Sequence, residues 1–175
     1  MTDKQLTRTS KFLSLVLRHK PETANVKLDS AGWTSVDALI DGCRKTDCPI
    51  TKSELIEVVA NNNKKRFEFN EDQTKIRASQ GHSLKVDLQY KAAVPPEVLY
   101  HGTATRNLDS IKIEGLTKRN RHHVHLSADP ETAANVGGRH GKPYILTLNT
   151  RAMMADGHEF YISTNGVWLT DHVPA

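Results

Sequence analysis

Cysteine is nearly absent: Cys43 and Cys48 are the only two in 175 residues. Two thiols cannot build a four-cysteine zinc site, and both read as ordinary helix or loop residues rather than a structural disulfide. No apolar run approaches the ~20 residues that a membrane-spanning helix needs. The opening Met1-Thr2-Asp3-Lys4-Gln5 has no apolar core of a secretory signal, so a cytoplasmic, membrane-free protein is expected. The dinucleotide fingerprint G-x-G-x-x-G is missing, as is the Walker spacing, which excludes a Rossmann-type or P-loop nucleotide site. Internal repeats and low-complexity tracts are also missing. Net charge is only +4, and three of those four positive charges fall within residues 1–90, so bulk charge does not identify a nucleic-acid binder. Histidine is missing from most of the first half: of nine, only His19 precedes residue 82.

What is present is a globular composition, 37% hydrophobic and 25% charged, with length for one ordinary domain or two small ones. The stretch Lys91-Ala92-Ala93-Val94-Pro95-Pro96 is the clearest boundary, because paired prolines disfavour helix and lack ladder donors. It divides the chain into residues 1–91 and 92–175. The first part reads as three helices and a hairpin. A helix over about residues 7–19 places Phe12, Leu15, Val16 and His19 on one face and stops before Pro21. A second covers about residues 36–45, with Val36, Leu39, Ile40 and Cys43 inward. A third opens on the capping box Thr51-Lys52-Ser53-Glu54 and carries Leu55, Ile56, Val58 and Val59. Alternation in Arg66-Phe67-Glu68-Phe69 and Lys75-Ile76-Arg77-Ala78 around Asn70-Glu71-Asp72-Gln73 predicts a β-hairpin. The second part mixes short strands and helices: a strand at Val98-Leu99-Tyr100, a helix over residues 107–114 ending at Gly115, a strand over 123–127, and a helix started by Asp129-Pro130-Glu131. Strands over residues 144–148, 160–162 and 167–169 complete an α+β pattern.

Several polar clusters invite a chemical reading. Arg18 and Lys20 at a helix C-terminus are accounted for by the macrodipole, whereas His19, in phase with Phe12 and Val16, would be a buried imidazole in need of a partner. Lys64-Lys65-Arg66 is a cationic run of the kind that usually faces solvent, but Arg66 sits where a helix-to-strand connection projects side chains. Tyr100-His101-Gly102-Thr103 ends a strand with directed hydrogen-bonding groups, and its glycine would let a ligand approach the backbone. In Arg119-Asn120-Arg121-His122-His123-Val124-His125-Leu126-Ser127, His123 and His125 share a face of a strand and could hold a metal. No acid or cysteine stands nearby, so the arginines favour an anion instead: their paired donors match phosphate oxygens. Gly137-Gly138-Arg139-His140-Gly141-Lys142 is glycine-rich and basic, like a phosphate-binding loop. Asn165-Gly166-Val167-Trp168 reads as a turn into a strand.

Taken in order, Ser10-Lys11-Phe12-Leu13-Ser14 with Leu17-Arg18-His19, Gly32-Trp33, Lys65-Arg66-Phe67, Arg77-Ala78-Ser79-Gln80-Gly81-His82-Ser83, Leu99-Tyr100-His101-Gly102-Thr103, the 121–127 run, Arg139-His140-Gly141 and Asn165-Gly166-Val167-Trp168-Leu169 resemble the RNA 2′-phosphotransferase family. The resemblance implies an N-terminal winged-helix-like, RNA-binding lobe and a C-terminal ADP-ribosyltransferase-like lobe with a compact mixed sheet. It also implies that Arg18, His19, Arg66 and Arg121 form the catalytic group, gathered where the lobes meet. NAD, as co-substrate, is implied to contact His101, Gly102, Thr103, His125, Ser127, Arg139, Asn165, Gly166 and Val167. His101, His125 and Val167 would stand at the histidine, tyrosine and glutamate positions of the ADP-ribosyltransferase triad.

The activity so implied removes an internal 2′-phosphate from RNA. That phosphate attacks the nicotinamide-bearing ribose carbon, giving 2′-phospho-ADP-ribosylated RNA. The adjacent ribose 2″-hydroxyl then attacks phosphorus, releasing 2′-OH RNA and ADP-ribose 1″,2″-cyclic phosphate, with no metal. In some organisms the family completes tRNA splicing. The expected partners are 2′-phosphorylated RNA and NAD, with no obligate protein partner. Two rival readings share these residues: an ADP-ribosyltransferase that caps terminal phosphates and stops, and a catalytically silent winged-helix RNA-binding protein.

Overall fold

A computed structural model describes every residue of the chain except Asn63 and the side chain of His140. The chain divides into two compact units, Met1–Gln89 and Tyr90–Ala175. Ala92 and Ala93 pair with the strand that contains Tyr161 and Phe160, Ala93 N–H donating to the Phe160 carbonyl at 2.8 Å. The extended segment before the prolines is thus stitched into the second unit.

In the first unit α1 (Asp3–Arg18) starts four residues earlier than its apolar periodicity suggests, because Thr2 and Gln5 form a capping box. It buries Thr9, Leu13, Val16 and Leu17. A short 3-10 turn (Pro21–Ala24) follows, then β1 (Thr34–Ser35) and α2 (Val36–Cys43), which Ser35 caps through the Ala38 N–H. The box read at Thr51 and Glu54 caps α3 (Lys52–Ala60), which buries Leu55 and Val58 but leaves Ile56 exposed. The hairpin consists of β2 (Phe67–Phe69) and β3 (Lys75–Ala78), paired Phe67 to Ala78 and Phe69 to Ile76. β1 adds to β3, giving an antiparallel sheet in the order β1-β3-β2. Leu13, Leu17, Leu39, Leu55 and Ile76 lie at the centre of this unit's core and are fully buried.

The second unit opens on β4 (Val98–Ala104), which pairs along its whole length with β7 (Pro143–Asn149). Between them lie α4 (Leu108–Glu114), β5 (Leu116–Thr117), β6 (Val124–Leu126) and α5 (Pro130–Gly137). Asp129 caps α5 through the Thr132 N–H at 2.7 Å. After β7 come α6 (Thr150–Ala155), β8 (Phe160–Ile162), β9 (Trp168–Thr170) and β10 (His172–Val173). β6, β9 and β8 form an antiparallel sheet in that order, and β5 pairs with β10. Reciprocal hydrogen bonds between Tyr100 and Ser127, both 2.8 Å, join β4 to the end of β6. Leu99, Leu126, Leu148, Phe160 and Trp168 fill the core beneath. Both units are therefore α+β, with small antiparallel sheets.

α5 lies directly on β4, backbone to backbone. A Cβ placed on Gly102 would come 1.6 Å from the Ala133 carbonyl oxygen, and one on Gly137 would come 2.7 Å from that of Thr103. Gly102 therefore has no room for a side chain, because α5 is seated directly on its backbone. The same contact makes Gly137 the end of a packed helix rather than part of a free phosphate-binding loop.

Candidate functional site

The polar residues singled out in the sequence form one group in each unit. In the first unit, Arg18 is the last residue of α1, and its Nε and Nη2 are withdrawn from solvent. His19 is not on the buried face. The helix ends at Arg18, and His19 takes up a C-cap conformation (φ −133°, ψ −45°) that swings its side chain into solvent. Extending the helical phase by one residue misplaced it. Its Nδ1 shares a 2.9 Å hydrogen bond with Ser83 Oγ, and Ser83 N–H donates to the Arg18 carbonyl at 3.0 Å. Arg66, half-buried, leads from α3 into β2, and its carbonyl accepts from Ser79 N–H at 2.9 Å. The segment 79–83 is thus tied at one end to Arg66 and at the other to Arg18 and His19. Arg77, in the same polar stretch, is held differently: its Nε meets Glu68 Oε1 at 2.7 Å and its guanidinium lies 4.4 Å from the Trp33 ring centre.

In the second unit His125 is the hub. Its main-chain carbonyl accepts the Nδ1–H of His101 at 2.9 Å, which leaves the His101 Nε2 as a lone-pair nitrogen when the ring is neutral. The neutral form is favoured. Burial on β4 lowers the His101 pKa first, and the positive charge of Arg121 lowers it further, against the raising effect of the carbonyl bond. The His125 ring accepts at Nδ1 from Arg121 Nη1 at 2.8 Å, so its own proton sits on Nε2. Arg121 loses some basicity through partial withdrawal from water and then through the like charge of Arg139. Two cations are therefore brought into mutual range, an arrangement that an anion would relieve.

Thr103 accepts at Oγ1 from Asn107 Nδ2 at 3.1 Å. Ser127 follows β6, and Arg139 is exposed on the 3-10 turn after α5. The neighbouring His140 side chain, part of the quoted Arg139-His140-Gly141 stretch, lies outside the described residues. Asn165, Gly166 and Val167 form the loop between β8 and β9. Gly166 has φ +79°, which glycine adopts without the Cβ penalty, and the loop closes on Ser163. Ser163 Oγ accepts from Val167 N–H at 3.0 Å and donates to Asn165 Oδ1 at 2.6 Å.

His123 does not share the environment of His125. It precedes β6 and packs against the rings of Tyr90 and Tyr161, with Asp171 4.0 Å from its Nε2. Among the described residues no group of three or more histidine, cysteine or acidic side chains is placed to hold a metal ion. Sequence reasoning overlooked Asn62, Asn107 and Ser163 as supports for these groups. Only Asn62 carried a hint, as a polar residue two positions ahead of the cationic run.

An α+β chain that sets arginines beside neutral histidines has the equipment of a protein acting on phosphate esters. Its family can be named. Residues 4–172 match the family described as RNA 2′-phosphotransferase, Tpt1 / KptA family, and the chain belongs to it. Among its relatives is a probable RNA 2′-phosphotransferase of Flavobacterium johnsoniae, 56% identical over 165 residues, covering 94% of this chain and 91% of that protein. A protein of the same name from Fusobacterium nucleatum is 54% identical over 169 residues, 96% of this chain and 94% of the other. One from Streptomyces coelicolor is 49% identical over all of this chain and 95% of its own length.

Proposed function

We propose that the chain removes an internal 2′-phosphate from RNA by transferring it to NAD. Family membership over residues 4–172 carries the reading, and the relatives named RNA 2′-phosphotransferase support it. In this reading the first unit, with three helices and a β1-β3-β2 sheet, is a winged-helix-like RNA-binding lobe. The second is an ADP-ribosyltransferase-like lobe. The family's catalytic group corresponds to Arg18, His19 and Arg66 in the first unit and to Arg121 in the second.

The second unit offers a donor set suited to NAD. His101 presents a neutral imidazole, Thr103 and Ser127 present hydroxyls, Arg139 presents a cation to a pyrophosphate, and the Asn165–Val167 loop presents a preformed edge. Gly102 would take part through its backbone alone. NAD supplies an electrophilic ribose carbon and a leaving nicotinamide. The RNA phosphate is already an anion, so the protein need only position it, and no glutamate base is required where Val167 stands. The phosphate oxygen bonds to that carbon as the nicotinamide bond breaks. The ribose 2″-hydroxyl then attacks phosphorus, losing its proton as the RNA 2′-oxygen leaves and gains one. Charge grows on the phosphoryl oxygens in this second step, where fixed arginine donors stabilise most.

The test is to incubate the protein with NAD and a short 2′-phosphorylated RNA and to weigh the products. Nicotinamide, 2′-OH RNA and ADP-ribose cyclic phosphate are expected. A stable ADP-ribosylated RNA would favour simple capping instead. RNA binding without nicotinamide release would overturn the enzyme reading.

A further inference from the structure

Asn62 is buried, 8% exposed, just past the C-cap of α3. Its Oδ1 accepts from Arg66 Nη1 at 3.1 Å and from Lys64 N–H at 3.2 Å, filling both lone pairs. Its Nδ2 donates to Ser10 Oγ at 3.1 Å. The amide can face only one way: inverted, it would point its own donors at the donors of Arg66 and Lys64. Ser10 lies on α1, two turns before Arg18. One buried side chain therefore fastens Arg66 to the helix that ends in Arg18.

The chemistry of the fastener matters as much as its position. Arg77 is fastened by a carboxylate, Glu68, which opposes its charge. Asn62 offers an acceptor oxygen without a charge, and the His125 imidazole offers Arg121 a ring nitrogen as an uncharged acceptor. We propose that Asn62 is a positioning residue that fixes Arg66 for an RNA phosphate through an acceptor that itself adds no negative charge beside the guanidinium. This inference rests on the proposed placement of that phosphate. It predicts that aspartate, which preserves the shape and the acceptor but sets a negative charge beside the guanidinium, weakens the hold on the phosphate beyond any change in stability.

The experiment measures binding of a short 2′-phosphorylated RNA and its unphosphorylated counterpart across a salt series, together with turnover and thermal denaturation. It uses the full chain and its Asn62→Asp, Asn62→Leu and Ser10→Ala variants, each with and without Arg66→Ala. Asn62→Asp should weaken binding of the phosphorylated RNA about tenfold and flatten the salt dependence by about 0.7 in log–log slope, the value of one phosphate on a single strand. Its melting temperature should stay within a few degrees of the parent. Asn62→Leu should lower turnover by about ten- to a hundredfold, and Ser10→Ala by less. In the Arg66→Ala background none of the three should cost anything further.

Full binding by Asn62→Asp, or losses that add to that of Arg66→Ala, would overturn the inference. So would Arg66→Ala retaining the preference for phosphorylated RNA, which would also displace the phosphate from Arg66. If the parent binds selectively and the variants lose selectivity, yet no nicotinamide is released, the proposed reaction falls and the role of Asn62 stands.

Discussion

Replacing Gly102 by alanine tests how firmly the second unit's polar group depends on the contact between α5 and β4. The φ of Gly102 is not positive, so alanine meets no backbone strain and the substitution isolates the steric effect. Its Cβ would lie 1.6 Å from the Ala133 oxygen and 2.4 Å from the Ala133 carbonyl carbon. An ordinary carbon–oxygen contact is about 3.3 Å, so α5 would have to retreat by roughly 1.7 Å. A gap of even 0.5–1 Å forfeits about a quarter to a half of each dispersion well along the seam. That places the change at or above the upper end of ordinary overpacking, on the order of 3 kcal/mol or more. For a unit of this size it corresponds to a melting temperature lower by about 12 °C or more. Circular dichroism melts of the full chain measure it. Gly138→Ala is the control, because a Cβ there meets nothing within 4 Å and the residue is already helical (φ −67°, ψ −11°). It should leave stability unchanged or raise it by about 0.4–1 kcal/mol. A Gly102→Ala protein that melts within about 3 °C of the parent would show that α5 is free to shift, and the backbone-contact reasoning would be wrong.

Arg66→Ala and Arg121→Ala should each lower turnover on the order of 10²-fold and accumulate 2′-phospho-ADP-ribosylated RNA, read on a gel with labelled substrate; both variants stalling before that species forms would refute the proposed division of labour. His125→Ala should disturb Arg121 but not His101, because the His101 Nδ1–H bonds to the main chain of His125; an unchanged His101 imidazole N–H resonance in the variant is the check. Burial lowers the pKa of both His101 and His123 relative to the unfolded chain. The unfolded state then binds more protons as pH falls below about 6.5, so stability is full above that pH and declines below it until the folded-state values are passed. Denaturant midpoints measured from pH 7.5 to 5 should show the decline, and His123→Phe, which keeps the packing against Tyr90 and Tyr161, should make it shallower. The buried Cys43 thiol, pushed up to about 11 mainly by desolvation, should resist a thiol reagent at pH 8 until the protein unfolds.

Local signals were read well where they rest on local chemistry. The Thr51–Glu54 capping box, the Asp129-Pro130 helix start, Gly115 as a helix stop (φ +72°) and the 66–78 hairpin all lie where short-range hydrogen bonds and periodicity placed them. Elements that depend on distant partners were missed. β1 is two residues long and exists because β3 is there to pair with it, and β5 and β10 sustain each other in the same way. The helix start at Asp3 was overlooked because its capping box precedes any apolar repeat. Candidate site residues were legible as types, arginine and histidine in unusual density, but not as arrangements. Nothing in the spacing of residues 101, 121 and 125 says that one histidine serves His101 with its backbone and Arg121 with its ring. The exposed His19 shows the same limit: helical phase predicts a face only while the helix lasts.

The loop 163–167 has a consequence for association. A segment that must be ordered around a ligand costs about 1–2 kcal/mol of backbone entropy per residue at the moment of binding. Here Gly166 sets the turn, and one largely buried hydroxyl, that of Ser163, takes the Val167 N–H and holds the Asn165 amide. The ordering is therefore completed when the chain folds. A ligand docked against Asn165, Gly166 and Val167, as in the proposed NAD site, would meet an edge already ordered, so affinity there should follow fit and change little with the loop's conformational freedom.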